Sequence, residues 1–128
     1  MKKALKIILI IFVAIILIGA GGVFYITRGL DAGSKMEISA VDPSSLSDGT
    51  YEGSYSAGRW SNKVAVTIKE GKITGIEVIK DVSIALEEVS GEIIDRVIKA
   101  QNTTVDAVSG ATVTSKAYLK SIENALTK

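Results

Sequence analysis

A short run of small and hydroxyl-bearing residues, Asp106 to Ser115, holds the side chains of this chain that are best suited to binding an anion. Its sequence is DAVSGATVTS, and the residues from Thr114 onward are predicted to begin a helix. Gly110 can adopt a positive φ or let a ligand approach the backbone closely. Free N–H groups at a helix N-terminus favour a phosphate, beside which Thr112 would present a hydroxyl. The alternative is that the hydroxyls only cap the helix.

The same run resembles the flavinylation motif of the FMN-binding domain family, Asp-x-x-Ser/Thr-Gly-Ala-Thr. In that family a flavin transferase cleaves FAD and joins FMN, through its phosphate, to the threonine of the motif. The resemblance implies that Thr112 is the covalent FMN acceptor, in a threonyl phosphoester, and that FAD and Mg²⁺ serve the transferase. It also implies that the residues around Thr112 form the recognition frame, namely Asp106, Ser109, Gly110, Ala111 and the following Thr114.

The chain has no cysteine and no histidine. This composition excludes disulfides, a CxxC redox pair, haem attachment and the usual zinc or copper ligands, and it excludes a Ser–His or Cys–His nucleophile pair. We therefore expect no metal ligands and no catalytic residue, and any redox chemistry must come from a cofactor. The base that activates Thr112 is expected to belong to the transferase, of which this protein is the substrate.

A flavin ring needs apolar or aromatic contacts on its faces. Trp60 lies in the loop Gly58–Asn62 beside Arg59 and is the best candidate for such a contact, whereas Tyr51 and Tyr55 are expected to pack in a sheet.

The charges indicate a membrane anchor and exclude a nucleic-acid surface. The chain carries 15 Lys and Arg against 14 Asp and Glu, without a basic cluster in its globular part. Ile7 to Ile26 is free of charge and, as a helix, is long enough to span a bilayer. An uncleaved anchor over residues 1–27 is favoured over a cleaved signal because the run is longer than a signal's apolar region. Lys2, Lys3 and Lys6 precede the run, so the N-terminus is predicted to be cytoplasmic and the rest extracytoplasmic.

Residues 28–47 are rich in Gly, Ser and Asp and contain Pro43, which indicates a linker, although a short ordered piece near Met36–Val41 stays an alternative. Residues 48–128 form the predicted FMN-binding domain, which opens with an Asp-Gly-x-Tyr-x-Gly sequence similar to that of the family. Alternating apolar residues predict strands over Val64–Lys69 and Ile73–Lys80, joined by a hairpin turn, with a bulge at Gly75.

Helical spacing of apolar residues follows over Ile84–Ala100, with Leu86, Val89, Ile93 and Val97 on one face, and again over Ser115–Leu126. Thr103, Thr104 and Val105 favour a short strand within Gln101–Val105, between these helices. The predicted fold class is α+β: an N-terminal transmembrane helix, then a small domain of antiparallel strands covered by two helices.

Together these features predict a membrane-anchored extracytoplasmic flavoprotein that carries electrons between a membrane-bound donor and an extracytoplasmic acceptor. One alternative is a flavin subunit of an Rnf-like or quinone-oxidoreductase membrane complex, whose subunits are generally longer. Another is a surface-anchored binding module without redox function, which would lack flavin.

Overall fold

The computed structural model describes residues 1–28, 33, 35–83 and 87–127. The helices and strands follow one another as α1 (Lys2–Thr27), β1 (Gly49–Tyr55), β2 (Asn62–Lys69), β3 (Lys72–Lys80), α2 (Glu87–Ala100) and α3 (Thr112–Leu126). Two single turns of 3₁₀ helix, Pro43–Ser45 and Gly58–Trp60, flank β1. The predicted helix start at Ile84, including Leu86, lies outside the described residues.

Helix α1 has the length and composition of a membrane-spanning segment. It contains 26 residues, and the mean hydropathy of its most apolar stretch is 3.1. None of its residues is buried against the rest of the protein. A helix whose whole circumference is apolar and exposed needs an apolar environment around it. One N-terminal apolar helix is consistent with a single-pass anchor.

The three strands form an antiparallel sheet in the order β1-β2-β3. Lys69 pairs with Lys72, so the hairpin between β2 and β3 has a two-residue turn, in which Glu70 and Gly71 both have positive φ (54° and 73°). Such turns match the twist of the strands that they connect. The register slips by one residue between Thr67 and Ile68, next to Gly75. This irregularity confirms the bulge that the sequence predicts.

The core lies between the sheet and the two helices that cover it. Strand β2 contributes Val64, Val66 and Ile68, each at most 1% exposed. Helix α2 contributes the predicted stripe Val89, Ile93 and Val97. Helix α3 is the central element, because ten of its fifteen residues are buried. The predicted α+β fold, an apolar N-terminal helix followed by an antiparallel sheet and two covering helices, is confirmed.

Part of the segment assigned to the linker belongs to the folded domain. Val41 is 7% exposed and joins the core. The backbone N–H of Ser39 donates to Glu123 Oε1 (3.2 Å), and that of Val41 donates to the side-chain oxygen of Asn102 (3.1 Å). The short ordered piece considered from the sequence therefore exists, and it packs against α3 and the loop after α2.

The strand expected near Val105 does not form. The structure assigns neither helix nor strand to residues 104–108, and residues 101–103 make a turn. Side chains take the place of strand pairing here: Thr103 Oγ1 donates to the carbonyl oxygen of Ser39 (2.7 Å) and is completely buried. The side-chain oxygen of Asn102 also accepts from the backbone N–H of Thr103 (2.8 Å), and local side-chain bonds of this kind compete with regular strand pairing.

Candidate functional site

The glycine of the motif sits in a tight turn immediately before α3. Gly110 has φ 80°, a left-handed conformation that favours glycine. The backbone N–H of Ala111 donates to the carbonyl oxygen of Val108 (3.0 Å), which closes the turn. Thr112 follows as the first residue of α3, and its side chain is exposed. The hydroxyl of Thr112 is therefore accessible to a modifying enzyme.

Helix α3 begins at Thr112, before the predicted start at Thr114 or Ser115, so neither of these residues starts it. The Ser115 hydroxyl accepts a hydrogen bond from the backbone N–H of Val108 (3.0 Å) and is fully buried. Thr114 is half-buried within the first turn. This hydrogen bond joins the turn before α3 to the helix. Ser115 is a residue type common at N-caps, but here it lies within the first turns of the helix.

Within the part of the chain that the structure describes, no side chain caps the N-terminus of α3. Ala111 occupies the N-cap position and has no side-chain oxygen to accept from the first-turn amides. The first backbone N–H groups of a helix have no partner inside it. This end of α3 consequently presents its amides and the positive end of the helix dipole next to Thr112.

A cavity of about 330 Å³ joins Trp60 to the motif. It is lined by Arg59 and Trp60 on one side and by residues 110–114 on the other. The structure thus brings together Trp60, Gly110, Ala111, Thr112 and Thr114, all of which the sequence singled out as cofactor-binding candidates.

Trp60 is held firmly in the wall of this cavity. It is 1% exposed, and the guanidinium of Arg59 stacks over its ring at 4.0 Å from the centroid. The Asn62 side chain donates to the Trp60 carbonyl oxygen (3.0 Å) and accepts from the Ser121 hydroxyl (2.6 Å). Two strongly buried polar contacts therefore fix the tryptophan relative to α3.

Asp106 and Ser109 lie apart from the Trp60 cavity. Both are exposed, and Asp106 instead lines a separate cavity with Arg96 and Lys99. The Asp106 carboxylate is therefore on the surface beside the motif, where a second protein can reach it, and not in the wall next to Trp60.

Arg96 is a residue that sequence reasoning missed. One of its terminal nitrogens, Nη1, donates to the carbonyl oxygens of Asp106 (2.8 Å) and Ala107 (3.3 Å). Its Nε pairs with Glu92 one helical turn earlier (2.9 Å). Arg96 thereby fixes the start of the motif segment to α2. Only the Glu92–Arg96 spacing was visible in the sequence, as an ordinary i,i+4 pair.

Comparison with known proteins places the chain in a family. The family model described as "FMN-binding domain" matches residues 58–127, more than half of the 128 residues. The chain belongs to the FMN-binding domain family. It is also 36% identical over 90 residues to an uncharacterized protein of Treponema pallidum (strain Nichols). That alignment covers 66% of this chain and 24% of the relative, so the chain matches about a quarter of that protein's length.

The Trp60 cavity has features that suit FMN. The indole Nε1 of Trp60 is buried and has no hydrogen-bond partner among the described residues. A buried N–H without a partner is uncommon in proteins, and a ligand oxygen or nitrogen would satisfy it. The uncapped N-terminus of α3 suits a phosphate. The cavity volume, about 330 Å³, lies within the usual range of small-molecule sites.

Proposed function

We propose that this protein is a membrane-anchored, extracytoplasmic flavoprotein that carries FMN covalently on Thr112 and acts as an electron carrier. The observation that carries the proposal is the position of Thr112. In a domain of the FMN-binding family, its exposed hydroxyl lies at an uncapped helix N-terminus and borders a cavity walled by a buried tryptophan.

Attachment joins the Thr112 hydroxyl to the FMN half of FAD. The Thr112 oxygen replaces AMP on the phosphorus of the FMN phosphate, the diphosphate bond of FAD breaks, AMP leaves, and the hydroxyl proton passes to a base. A threonine hydroxyl is a weak nucleophile without such a base, and this chain contains no histidine. A flavin transferase that binds FAD and Mg²⁺ supplies the base. The exposed Asp106 and Ser109 provide the frame that the transferase recognises.

The chain's own residues then hold the cofactor. The first-turn amides of α3 hold the phosphate, assisted by the helix dipole. Gly110 adopts the left-handed conformation of the turn that presents Thr112. Trp60 forms part of the cavity wall. When bound, FMN supplies the capacity to accept and release electrons, which no side chain of this chain offers readily.

The anchor determines where this chemistry takes place. Lys2, Lys3 and Lys6 precede the uncharged run of α1, so the N-terminus lies in the cytoplasm and the domain outside. Outside the cytoplasm a dissociated cofactor would be lost, which gives a covalent bond a physical purpose. The partners are accordingly a membrane-bound electron donor and an extracytoplasmic acceptor.

The proposal is tested by coexpressing the full chain with a flavin transferase and viewing a denaturing gel under ultraviolet light. We expect a fluorescent band at the mass of the protein, because a phosphoester survives denaturation. The band should be absent when the transferase is omitted. A second acceptor protein shows that the transferase is active. If this protein then gives no fluorescent band, the proposal is wrong, and the motif is only the turn before a helix in a binding module without redox function.

A further inference from the structure

The 3₁₀ turn that carries Trp60 contacts the end of the apolar helix. Arg59 Nε donates to the carbonyl oxygen of Ile26 (3.0 Å). Ile26 is the last apolar residue before Thr27, at which α1 ends. The last carbonyls of a helix have no partner inside it and form the negative end of its dipole. Arg59 therefore satisfies a carbonyl at the point where the apolar surface of α1 ends.

A glycine makes this approach close. Gly58 has φ 56°, and a Cβ added to it would lie 3.2 Å from the carbonyl oxygen of Arg28. A side chain at this position would be strained by the backbone conformation and crowded against the residue that follows α1. Gly58 and Arg59 thus form one contact surface for the end of the helix.

The turn itself is rigidly part of the domain. The Ser61 hydroxyl accepts from the backbone N–H of Ala57 (3.0 Å) and donates to the carbonyl oxygen of Gly58 (2.9 Å). The backbone N–H of Ser83 donates to the carbonyl oxygen of Arg59 (2.9 Å). The Arg59–Ile26 bond consequently joins the domain to α1, and does not merely join one loop to another.

Arg59 also lines the cavity that contains Trp60 and Thr112. Among the described residues, Arg59 therefore contacts both the cavity and the end of the apolar helix. Arginine suits the boundary between lipid and water, because its apolar stem can lie in the lipid while its charged group stays in the polar layer. This geometry brings the candidate flavin cavity close to the lipid headgroups.

We propose that Arg59 is a positioning residue that docks the domain onto the end of its own membrane helix and holds the Trp60 cavity at the membrane surface. The lipid headgroup layer is the partner of this surface. The inference rests on the membrane span of the proposed function. It deepens that function, because a cavity held at the headgroups exchanges electrons with a donor that presents its redox group at the membrane surface.

Trp60 is the only tryptophan of the chain, so its fluorescence reports directly on the position of the cavity. The full chain is reconstituted in phosphatidylcholine vesicles whose acyl chains are brominated near the headgroup, near the terminal methyl, or not at all. Bromine quenches tryptophan only at short range. We expect the largest loss of Trp60 emission with bromine near the headgroup, a smaller loss with bromine near the methyl end, and the same order without any flavin attached.

Substitution of Arg59 tests its role separately. Arg59→Gln should reduce the quenching of Trp60 emission by brominated vesicles, because the domain leaves the membrane surface. Arg59→Lys should recover part of the quenching, because it keeps a cation near the Ile26 carbonyl. Lys99→Gln is the matched control, because Lys99 lies on α2 and pairs with Asp95. The circular dichroism and the wavelength of the emission maximum show whether each variant keeps the fold and the buried Trp60.

The outcomes separate this inference from the proposed function. Equal Trp60 emission in all three vesicle types, with the protein floating with the vesicles and resisting carbonate extraction, overturns the docking and leaves the anchor and the flavin untouched. Quenching that is identical in Arg59→Gln and the unaltered protein overturns the role of Arg59. Protein that does not float with vesicles contradicts the membrane anchor of the proposed function and overturns the docking as well.

Discussion

The two ends of α3 differ in how closely they pack against the rest of the domain. At the C-terminal end the helix packs so closely on β1 that a Cβ added to Gly53 would lie 2.1 Å from the carbonyl oxygen of Ser121 and 2.3 Å from the nitrogen of Ala125. At the N-terminal end Gly110 has a positive φ, an added Cβ would meet nothing within 4 Å, and Thr112 is exposed. One glycine is required by close packing and the other by backbone conformation.

The C-terminal end of α3 therefore contributes mainly to the stability of the fold, and the N-terminal end leaves Thr112 accessible. Close backbone contact at the C-terminal end fixes the helix on the sheet. The N-terminal end can therefore leave its amides, its hydroxyl and its turn open without unfolding. Substitutions near Gly53 should change the free energy of unfolding, whereas substitutions near Gly110 should change flavin attachment more than stability.

The largest effect is expected for Gly53→Ala. The new methyl would collide with backbone atoms of α3, which cannot rotate aside, so the free energy of unfolding should fall by roughly 3 kcal/mol or more. Denaturant unfolding of the full chain in detergent, followed by circular dichroism, measures the change. Gly91→Ala is the matched control: Gly91 lies within α2 with nothing near an added Cβ, and alanine there should raise stability by about 0.5–1 kcal/mol. Similar losses in both variants would contradict the close packing at Gly53.

A smaller loss is expected for Gly110→Ala, because the strain comes from the positive φ and not from a collision. A non-glycine residue in this conformation costs roughly 1–2 kcal/mol. Flavin incorporation during coexpression should fall more than this loss of stability explains, since the turn that presents Thr112 relaxes. Asparagine tolerates the left-handed region, so Gly110→Asn should recover most of the stability. Full flavin incorporation in Gly110→Ala would show that the turn geometry does not matter to the transferase.

Tyr118, halfway along α3, provides a pH-dependent test of the buried part of the helix. Burial and a hydrogen bond to Asp81 raise the pKa of the Tyr118 hydroxyl above its ordinary value of 10.0. The folded state favours the neutral hydroxyl, so its contribution is complete below pH 10 and is lost as the pH rises above that value. Tyr118→Phe should cost about 1 kcal/mol near neutral pH.

The same substitution should also reduce the fall of stability with alkali. Part of that fall should remain, because burial raises the pKa of Tyr55 as well. Unfolding free energies measured from pH 8 upward give both quantities. An unchanged alkaline slope in Tyr118→Phe would show that this hydroxyl does not report on the packing of α3.

The smallest change in stability is expected for Arg96→Gln, yet this variant should affect the motif. Arg96 is partly exposed (34%), so the loss of its bonds should cost under about 1 kcal/mol. The segment that begins at Asp106 would lose its attachment to α2, and flavin transfer should become slower while the same residue is modified. Lys63→Gln is the matched control, because Lys63 lies on β2 and pairs with Glu52. Equal rates in a time course of flavin transfer to both variants would exclude a role for Arg96 in positioning the motif.

Local patterns in the sequence were sufficient for most of the fold. Alternating apolar residues predict the hairpin and its bulge, and apolar residues at helical spacing predict the buried stripe of α2. Both patterns depend only on neighbours within a few residues. The predicted start of α3 lies too late for a physical reason. Ser115 is a good N-cap residue by type, but its hydroxyl is used by the backbone of Val108 inside the fold.

The parts that sequence reading missed depend on contacts between distant segments. Arg96 reaches Asp106 only because the loop after α2 turns back along the helix. Likewise, the segment around Val41 and the loop around Thr103 are held by hydrogen bonds to each other, and the local sequence of neither segment indicates these bonds. The sequence did indicate Trp60 and the motif as candidates, but the cavity that they share depends on the packing of the whole domain.

The covalent attachment of FMN to Thr112 is tested most directly by mass spectrometry of the peptide that contains residues 106–116, after coexpression with a flavin transferase. We expect an FMN adduct that fragmentation assigns to Thr112, retained in part in Thr112→Ser and absent in Thr112→Ala, whose fold should persist because the side chain is exposed. Thr114→Ala should keep the adduct. An adduct assigned to Ser109, Thr114 or Ser115, or no adduct in the presence of an active transferase, would contradict the account.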